Sequence, residues 1–267
     1  MARTLRSVSS KATFIIFADN TMITSTLSHL ELEELRKCGV IIFNLGSVIK
    51  YRDVPEITSR FIFYSAFLHK FSLDFDRIIM ADAYDTYFQK DPFCKKFTER
   101  GGFHATVEDI DIFSSRPNLE WILTHDPYFS YKKYKNRKVI NSGLQYGDIW
   151  STLTFLDSYI NYDFWFNYSN GLMEQAMMNI MYVEGRLPKS FIPDYEPTIM
   201  NSATHWYYDP EPNEFGMFKT NEIYPTTIHQ YNRIEPIRNY LPSICPPLGD
   251  WHKNPFGHQL YTTQYID

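Results

Sequence analysis

The chain has 267 residues, which is enough for one large α/β domain and short for two full domains. Its formal net charge of −5 argues against a general nucleic-acid binder, because such proteins carry a basic surface. Aromatic residues make up 17% of the chain, and this content favours a binding cleft with stacking surfaces in addition to a ring-filled core.

Cysteine spacing and hydropathy exclude further classes. Cys38, Cys94 and Cys245 show no Cys-x-x-Cys spacing, so neither a zinc ribbon nor a redox motif is predicted, and their odd number favours a reducing compartment. Residues 1–11 are polar and basic, so we expect no signal peptide or membrane anchor in this chain. No apolar run approaches the roughly 20 residues that a membrane-spanning helix needs.

The first ninety residues alternate between apolar runs and amphipathic stretches. The predicted elements are strands at residues 12–18, 40–45 and 78–81, and helices at residues 26–37 and 55–71. Gly39 is the predicted stop of the first of these helices. A strand, a helix and a strand in succession imply a right-handed crossover in a parallel sheet, so an α/β fold is predicted.

Two carboxylates follow the third predicted strand. Asp82 comes directly after it and Asp85 three residues later, in a DxxD motif. Open α/β sheets bind ligands at the carboxyl ends of their strands, and carboxylate oxygens suit Mg²⁺ or Mn²⁺, ions that usually hold substrate phosphates as well. The chain has no glycine-rich phosphate loop, so a bound diphosphate is expected to rely on a metal. The alternative is that Asp82 caps a turn and Asp85 is a solvated loop residue.

The regular pattern stops after a short predicted strand at residues 103–107. Residues 110–138 contain Pro117, Pro127 and a basic, tyrosine-rich patch at residues 131–138. A loop of this length predicts either a functional lid or a disordered excursion. The basic patch either meets an anionic acceptor or is a solvated loop.

Regular elements are predicted again in the second half of the chain. They are a strand at residues 139–146, helices at residues 150–159 and 172–183, and a short strand at residues 226–230. Gly143, inside a strand, predicts a bulge or the close approach of another group. Asp148 is the predicted cap of the next helix, and Glu174 either complements a helix dipole or takes part in chemistry. His229, taken alone, is typical of a structural histidine.

Taken in order, these segments resemble glycosyltransferases of the GT-A fold. The segment after the third strand is most similar to the Asp-x-Tyr-Asp of the glycosyltransferase domain in the procollagen lysyl hydroxylase/collagen glucosyltransferase family. The matching residues are Asp82, Tyr84 and Asp85 in that segment, Asn141 and Gly143 in an Asn-Ser-Gly segment, Glu174 and Gln175 in an acidic-Gln pair, and His229 near the end. The resemblance covers roughly residues 12–235. It departs from the family after His229, where Gln-Tyr-Asn-Arg replaces a glycine-containing turn.

The resemblance implies a single GT-A (Rossmann-like) domain over residues 1–267, with a central mixed, mostly parallel sheet flanked by helices. Residues 12–93 would form the nucleotide-binding half and residues 94–267 the acceptor and sugar half. The implied activity is that of a metal-dependent hexosyltransferase, which transfers a sugar from a nucleotide-sugar, most often a UDP-sugar, to a hydroxyl of a glycan, protein or small-molecule acceptor. The implied cofactor is Mn²⁺ or Mg²⁺, and no nucleic-acid partner or membrane span is expected.

The resemblance also assigns roles to individual residues. The implied metal ligands are Asp82, Asp85 and His229, and the implied donor-binding residues are Phe17, Asp19, Tyr84, Asn141, Gly143 and Arg233. Glu174 and Gln175 would face the transferred sugar. Glu174 would be the base in an inverting enzyme, and Gln175 would stabilise the oxocarbenium-like centre in a retaining one.

Two other functions are compatible with the sequence. One is a non-catalytic GT-A-like protein that binds a sugar or a protein partner. The other is a metal-dependent enzyme that acts on nucleotide phosphates, such as a nucleotidyltransferase or a hydrolase. The compartment is expected to be the cytoplasm, or the lumen if this is the soluble catalytic domain of a Golgi or ER enzyme.

Overall fold

The computed structural model describes residues 1–8, 12–24, 26–47, 56–162, 174–196, 200–202 and 208–244. These residues form mixed β-sheets flanked by helices, which confirms the predicted α/β class. Cys245 lies outside the described residues. No helix in the described part of the chain combines the length and the apolar character that crossing a membrane requires.

Nine strands and ten helices are found in the described residues. The strands are β1 (Phe14–Ala18), β2 (Val40–Asn44), β3 (Arg77–Ala81), β4 (Thr86–Phe88), β5 (Phe103–Asp111), β6 (Lys138–Asp148), β7 (Phe191–Asp194), β8 (Met200–Ser202) and β9 (Thr227–His229). The helices are α1 (Ala2–Val8), α2 (Asn20–Thr24), α3 (Thr26–Lys37), α4 (Glu56–Lys70), α5 (Lys95–Thr98), α6 (Arg116–His125), α7 (Tyr131–Tyr134), α8 (Ile149–Ile160), α9 (Glu174–Val183) and α10 (Glu235–Ile244).

The strands form three hydrogen-bonded sheets. The first contains β1 and β2, which are parallel. The second has the order β3-β6-β5-β7, in which β6 is antiparallel to β3 and β5 while β7 is parallel to β5. The third has the order β4-β9-β8, with β9 antiparallel to β4 and parallel to β8. The buried strands β5 and β6 therefore lie at the centre of the largest sheet.

The first half of the chain follows the order predicted from the sequence. The elements β1, α3, β2, α4 and β3 begin and end within two residues of their predicted bounds. The parallel pairing of β1 with β2 confirms the predicted crossover. Gly39 follows α3 with a φ of +66°, a left-handed conformation that favours glycine and ends the helix. β3 pairs with β6 and carries its carboxyl end towards the middle of β6.

The largest core cluster lies between the central sheet and helices α4, α8 and α9. Phe61, Ser65 and Leu68 are buried one helical turn or less apart, so one face of α4 packs inward. The rings of Phe103 and Phe155 stack with centroids 4.2 Å apart, which ties β5 to α8. Burying one such ring contributes roughly 1.5–3 kcal/mol to folding. This packing fixes α4 beside the end of β3.

The prediction of a loop over residues 110–138 is wrong. β5 continues to Asp111 instead of ending at Val107, and helices α6 and α7 follow. The two prolines do not interrupt structure, because Pro117 lies in the first turn of α6, where the missing N–H has no helical partner to lose, and Pro127 follows that helix. Ile112, Ile122 and other buried side chains of the segment pack with α9 in a separate apolar cluster.

Part of the basic patch serves this packing. The Lys133 ammonium lies 2.8 Å from Asp126 Oδ2 and 2.9 Å from Glu184 Oε1, and Tyr134 donates a hydrogen bond of 2.6 Å to Asp126 Oδ2. Lys138 pairs with Asp109 at 3.2 Å. Lys133 therefore holds α7 against two carboxylates, and Lys138 is part of β6, so neither residue belongs to a solvated loop.

Candidate functional site

Three side chains of metal-ligand type meet where β3 ends. Asp82 follows β3, Asp85 lies in the turn before β4, and His229 ends β9. The antiparallel pairing of β4 and β9 places Thr86 opposite His229, so the imidazole stands beside the Asp82–Asp85 turn. One ligand atom from each of the three residues lies within 4.8 Å of the others. His229 Nε2 is 3.4 Å from Asp82 Oδ2 and 3.4 Å from Asp85 Oδ1.

Gly143 makes this meeting possible. A Cβ atom at this position would lie 2.3 Å from His229 Cε1, 2.5 Å from His229 Nε2 and 2.7 Å from Asp82 Oδ2, which are distances that non-bonded atoms do not adopt. The Gly143 carbonyl also accepts a 2.9 Å hydrogen bond from the Asp82 amide. The close approach predicted at this glycine is therefore that of the imidazole and a carboxylate.

The electrostatics of the cluster are those of tightly coupled charges. Burial alone lowers the pKa of His229, but contact with the carboxylates of Asp82 and Asp85 outweighs it and raises the pKa above the usual value. Burial alone raises the pKa of Asp82, yet His229 and the Arg60 guanidinium together lower it. Negative charge at Asp82 is therefore stabilised by the positive charges around it.

The cluster also contains ligand atoms that protein groups leave unsatisfied. Among the described residues, neither Asp85 Oδ1 nor the two ring nitrogens of His229 has a hydrogen-bond partner. Buried polar atoms are normally hydrogen-bonded, so atoms without partners at one point indicate a place for a further group. Carboxylate oxygens and an imidazole nitrogen are a donor set that accommodates a divalent cation such as Mn²⁺ or Mg²⁺.

Arg60 is a site residue that sequence analysis missed. It lies on α4, and its guanidinium forms an ion pair with Asp82 while Nη2 donates a 3.0 Å hydrogen bond to the Ser142 carbonyl. The same nitrogen is 3.5 Å from Glu174 Oε1. Arg60 therefore bridges the carboxylates of β3 and α9. The sequence showed it only as one basic residue in an amphipathic helix, with no spacing that singled it out.

A cleft of about 570 Å³ opens beside the cluster. This volume lies within the range of sites that bind small ligands. Its lining includes Phe17 and Asp19 at the end of β1, Arg60 on α4, and Asp82, Tyr84 and Asp85. Tyr84 is 84% exposed, so its ring is available for stacking at the mouth of the cleft. The structure thus brings three of the predicted donor-binding residues together with two of the predicted metal ligands.

Three other predicted residues lie in β6 or at the start of α9, away from the cleft. Asn141 is completely buried, Glu174 is 4% exposed and Gln175 is 9% exposed, and within the described chain none of the three lines the cleft. Glu174 accepts a 3.2 Å hydrogen bond from the Ser142 hydroxyl, and burial raises its pKa above the usual value. Gln175 accepts from the Ser142 amide at 3.1 Å and donates to Asn118 Oδ1 at 2.8 Å, so both ends of its amide are engaged.

Arg233 is placed apart from the cleft lining. It ends the short 3₁₀ turn Tyr231–Arg233 that follows His229. The preceding Gln230 has a φ of +60°, which turns the chain back towards the Asp82–Asp85 turn. Tyr231 then donates its amide to the Asp85 carbonyl and its hydroxyl to the Tyr84 carbonyl, both at 3.3 Å. Tyr231 supports the turn that carries the carboxylates, and no sequence motif marked it.

Comparisons with known proteins add little to this geometry. No protein-family model matches the chain, and a search of curated proteins finds no significant match. Among solved structures, a match covers 85% of this chain and 98% of a glycosyltransferase involved in the glycosylation of the major capsid of PBCV-1, with 14% sequence identity and a TM-score of 0.37. At that TM-score the likeness does not determine what this chain does.

Proposed function

We propose that this chain is a metal-dependent glycosyltransferase of GT-A type, which transfers a hexosyl group from a nucleotide-sugar, a UDP-sugar, to an acceptor hydroxyl. One observation carries the proposal: Asp82, Asp85 and His229 converge across Gly143 at the edge of a cleft. Two carboxylates and an imidazole beside a ligand-sized cleft are what an enzyme needs to hold a cation together with a diphosphate.

The donor set fits Mn²⁺ or Mg²⁺. Ligand atoms bound about 2.1 Å from one ion lie roughly 3 Å or more from each other. The observed separations of 3.4 Å between His229 Nε2 and each carboxylate are compatible with this requirement. We assign Asp82, Asp85 and His229 as the ligands. The ion, when bound, supplies Lewis-acid stabilisation of the departing diphosphate.

The nucleotide-sugar is proposed to occupy the cleft. Phe17 and Tyr84 offer aromatic surfaces for the base, and Asp19 offers a carboxylate acceptor for hydroxyl groups. Arg60 also lines the cleft, and its planar guanidinium is suited to an anionic phosphate oxygen. Asn141 and Gly143 are proposed to shape the sugar end from within β6, and Arg233 to approach the diphosphate.

The reaction joins an acceptor oxygen to the anomeric carbon. The carbon–oxygen bond to the diphosphate breaks, the diphosphate leaves with the bonding electrons, and the acceptor hydroxyl loses its proton. Glu174 is the proposed base of an inverting mechanism, because its raised pKa makes its carboxylate a stronger proton acceptor. It would have to reach the acceptor from its buried place beside Ser142 and Arg60. Gln175 is proposed to stabilise the sugar centre if configuration is retained. Its amide, engaged at both ends, would have to exchange a protein partner to do so.

Within GT-A enzymes, we propose that this chain is related to the procollagen lysyl hydroxylase/collagen glucosyltransferase family. The Asp-x-Tyr-Asp segment at Asp82, Tyr84 and Asp85 supports that relation. The exposed Tyr84 ring beside the two carboxylates distinguishes this segment from a plain Asp-x-x-Asp pair.

Nucleotide release from a panel of nucleotide-sugars, with Mn²⁺, with Mg²⁺ and with a chelator, tests the proposed function. The native protein is expected to turn over one UDP-sugar only with metal, and Asp85→Asn is expected to lose that turnover. Asp157→Asn is the matched control, because Asp157 lies on α8 and pairs with the exposed His69. Pyrophosphate release from a nucleoside triphosphate would instead identify an enzyme acting on nucleotide phosphates. Absence of both turnover and metal-dependent nucleotide binding would favour a binding protein.

A further inference from the structure

Glu108 is a buried carboxylate that neither composition nor motif singled out. It lies on β5 and is only 3% exposed. Its Oε1 accepts hydrogen bonds from Asn141 Nδ2 at 2.9 Å and from Gln175 Nε2 at 3.3 Å. Burying a carboxylate costs free energy unless hydrogen bonds compensate, so its contacts decide what the residue does. These two contacts point to the segments around Gly143 and Glu174.

Asn141 is oriented by the contact with Glu108. An asparagine side chain has a donor end and an acceptor end of nearly the same shape, so its partners determine which way it faces. Here Nδ2 donates to Glu108, and Oδ1 is therefore free to accept a 2.7 Å hydrogen bond from the Gly143 amide. The reversed orientation would place two N–H donors against each other at Gly143. Glu108 thus selects the orientation that holds Gly143.

Gly143 transmits this orientation to the proposed metal ligands. Its carbonyl accepts from the Asp82 amide at 2.9 Å, and the space left by its missing side chain is filled by His229 and Asp82. The hydrogen bonds from Glu108 through Asn141 to Gly143 and Asp82 form one continuous chain. A shift of Gly143 would therefore move both the carboxylate and the space in which the imidazole lies.

We propose that Glu108 is a positioning residue of the metal site, which acts through Asn141 and Gly143 on Asp82 and His229. The proposal rests on the proposed function for the identity of the site as a metal site. The chain of hydrogen bonds does not depend on that function and can be measured in metal-free protein. Groups that orient metal ligands typically change metal affinity by about 10- to 100-fold when they are removed.

Two readouts test the proposal: Mn²⁺ affinity by calorimetry, and amide hydrogen exchange at Gly143 without metal. Glu108→Leu is expected to weaken Mn²⁺ binding by about tenfold or more and to speed exchange at Gly143, whose N–H is held by a side chain. Glu108→Gln keeps an Oε1 acceptor and is expected to retain both properties. Asp126→Asn is the control, because it disturbs another buried polar network, around Lys133 and Tyr134.

A second pair of variants keeps the test decisive if Glu108→Leu does not fold. Asn141→Asp removes the donor that faces Glu108, so it should weaken Mn²⁺ binding and speed exchange at Gly143 as Glu108→Leu does. Asn141→Asp combined with Glu108→Gln restores one donor facing one acceptor, so it should recover both properties. Native Mn²⁺ affinity and native Gly143 exchange in both Glu108→Leu and Asn141→Asp would overturn the proposal. The proposal would also be overturned if Asp126→Asn weakened Mn²⁺ binding and sped Gly143 exchange as much as these variants do. If the native protein binds no Mn²⁺, the proposed function fails, and Gly143 exchange alone decides whether Glu108 positions this segment.

Discussion

His229 Nε2 lies 3.4 Å from Asp82 Oδ2, and these atoms can meet only because residue 143, which faces them both, has no side chain. Asp82 directly follows β3, Gly143 lies in β6 and His229 ends β9, so the contact joins two separate sheets. The local consequence is a cluster whose geometry depends on a single missing methyl group.

Gly143→Ala is expected to open this cluster. The added Cβ would overlap the imidazole and the Asp82 carboxylate, so we expect a loss of stability of about 1–3 kcal/mol and about tenfold weaker Mn²⁺ binding. Chemical denaturation and calorimetric metal titration measure the two effects. Gly101→Ala is the control, because a Cβ at Gly101 meets no atom within 4 Å and its φ is not in the left-handed region. Equal metal affinities for the two variants would contradict the assigned role of Gly143.

Arg60→Met is expected to destabilise the metal-free protein by about 2 kcal/mol, because Asp82 and Glu174 lose a shared cationic partner in a partly buried place. Saturating Mn²⁺ should recover part of this loss, since a bound cation stabilises the folded state and restores positive charge beside Asp82. Denaturation with and without Mn²⁺ measures the difference. Arg116→Met, which breaks an exposed pair with Glu120, should leave stability nearly unchanged under either condition. If Arg60→Met lowers the free energy of unfolding by the same amount with and without Mn²⁺, Arg60 is not coupled to the proposed metal site.

The Asp126 network predicts a pH dependence of folding. Burial alone raises the pKa of Asp126, but hydrogen bonds from Lys133 and Tyr134 lower it below the usual value. A carboxyl group whose pKa is lower in the folded state stabilises the fold above its unfolded pKa of about 3.9, and this stabilisation is lost as the pH falls through the folded pKa. The stability difference between the native protein and Asp126→Asn should therefore be largest near pH 7 and shrink below about pH 4.

Denaturation midpoints of the native protein and Asp126→Asn at pH 7, 5 and 3 measure this dependence. We expect a difference of roughly 1–3 kcal/mol at neutral pH, as for hydrogen bonds to a charged group. Asp109→Asn is the control, because the pair of Asp109 with Lys138 is exposed and contributes little. A gap for Asp126→Asn that stays constant across the three pH values would show that its charge is not what stabilises α7.

Local pattern predicted the elements of the first half well, because period and turn residues are encoded within a few positions of each other. The strand-end rule likewise placed Asp82 and Asp85 at an edge where ligands bind. Local pattern failed at residues 110–138, where two prolines favour a loop although Pro117 lies in the first turn of α6 and Pro127 follows that helix. A proline can either end regular structure or stand in the first turn of a helix, and only the packing of this segment against α9 distinguishes the two.

The rest of the site depends on contacts between distant segments. No sequence spacing predicts that Arg60 pairs with Asp82, or that Glu108 accepts a hydrogen bond from Asn141. His229 was singled out only through the family resemblance, since a lone histidine in a short strand is typical of a structural residue. The hydrogen bond from the Ser142 amide to Gln175 likewise could not be predicted, because it depends on how β6 packs against α9.

The proposed function depends most on His229 acting as a ligand in a catalytic metal site. Nucleotide release from the UDP-sugar that the native protein uses, measured against Mn²⁺ concentration in the native protein and in His229→Asn, tests this most directly. We predict saturable stimulation by Mn²⁺ in the native protein. In the folded variant, stimulation should be lost or should require at least tenfold more Mn²⁺, with thermal unfolding confirming the fold. Turnover that is equal with Mn²⁺ and with chelator, or Mn²⁺ stimulation unchanged in His229→Asn, would contradict the proposed function.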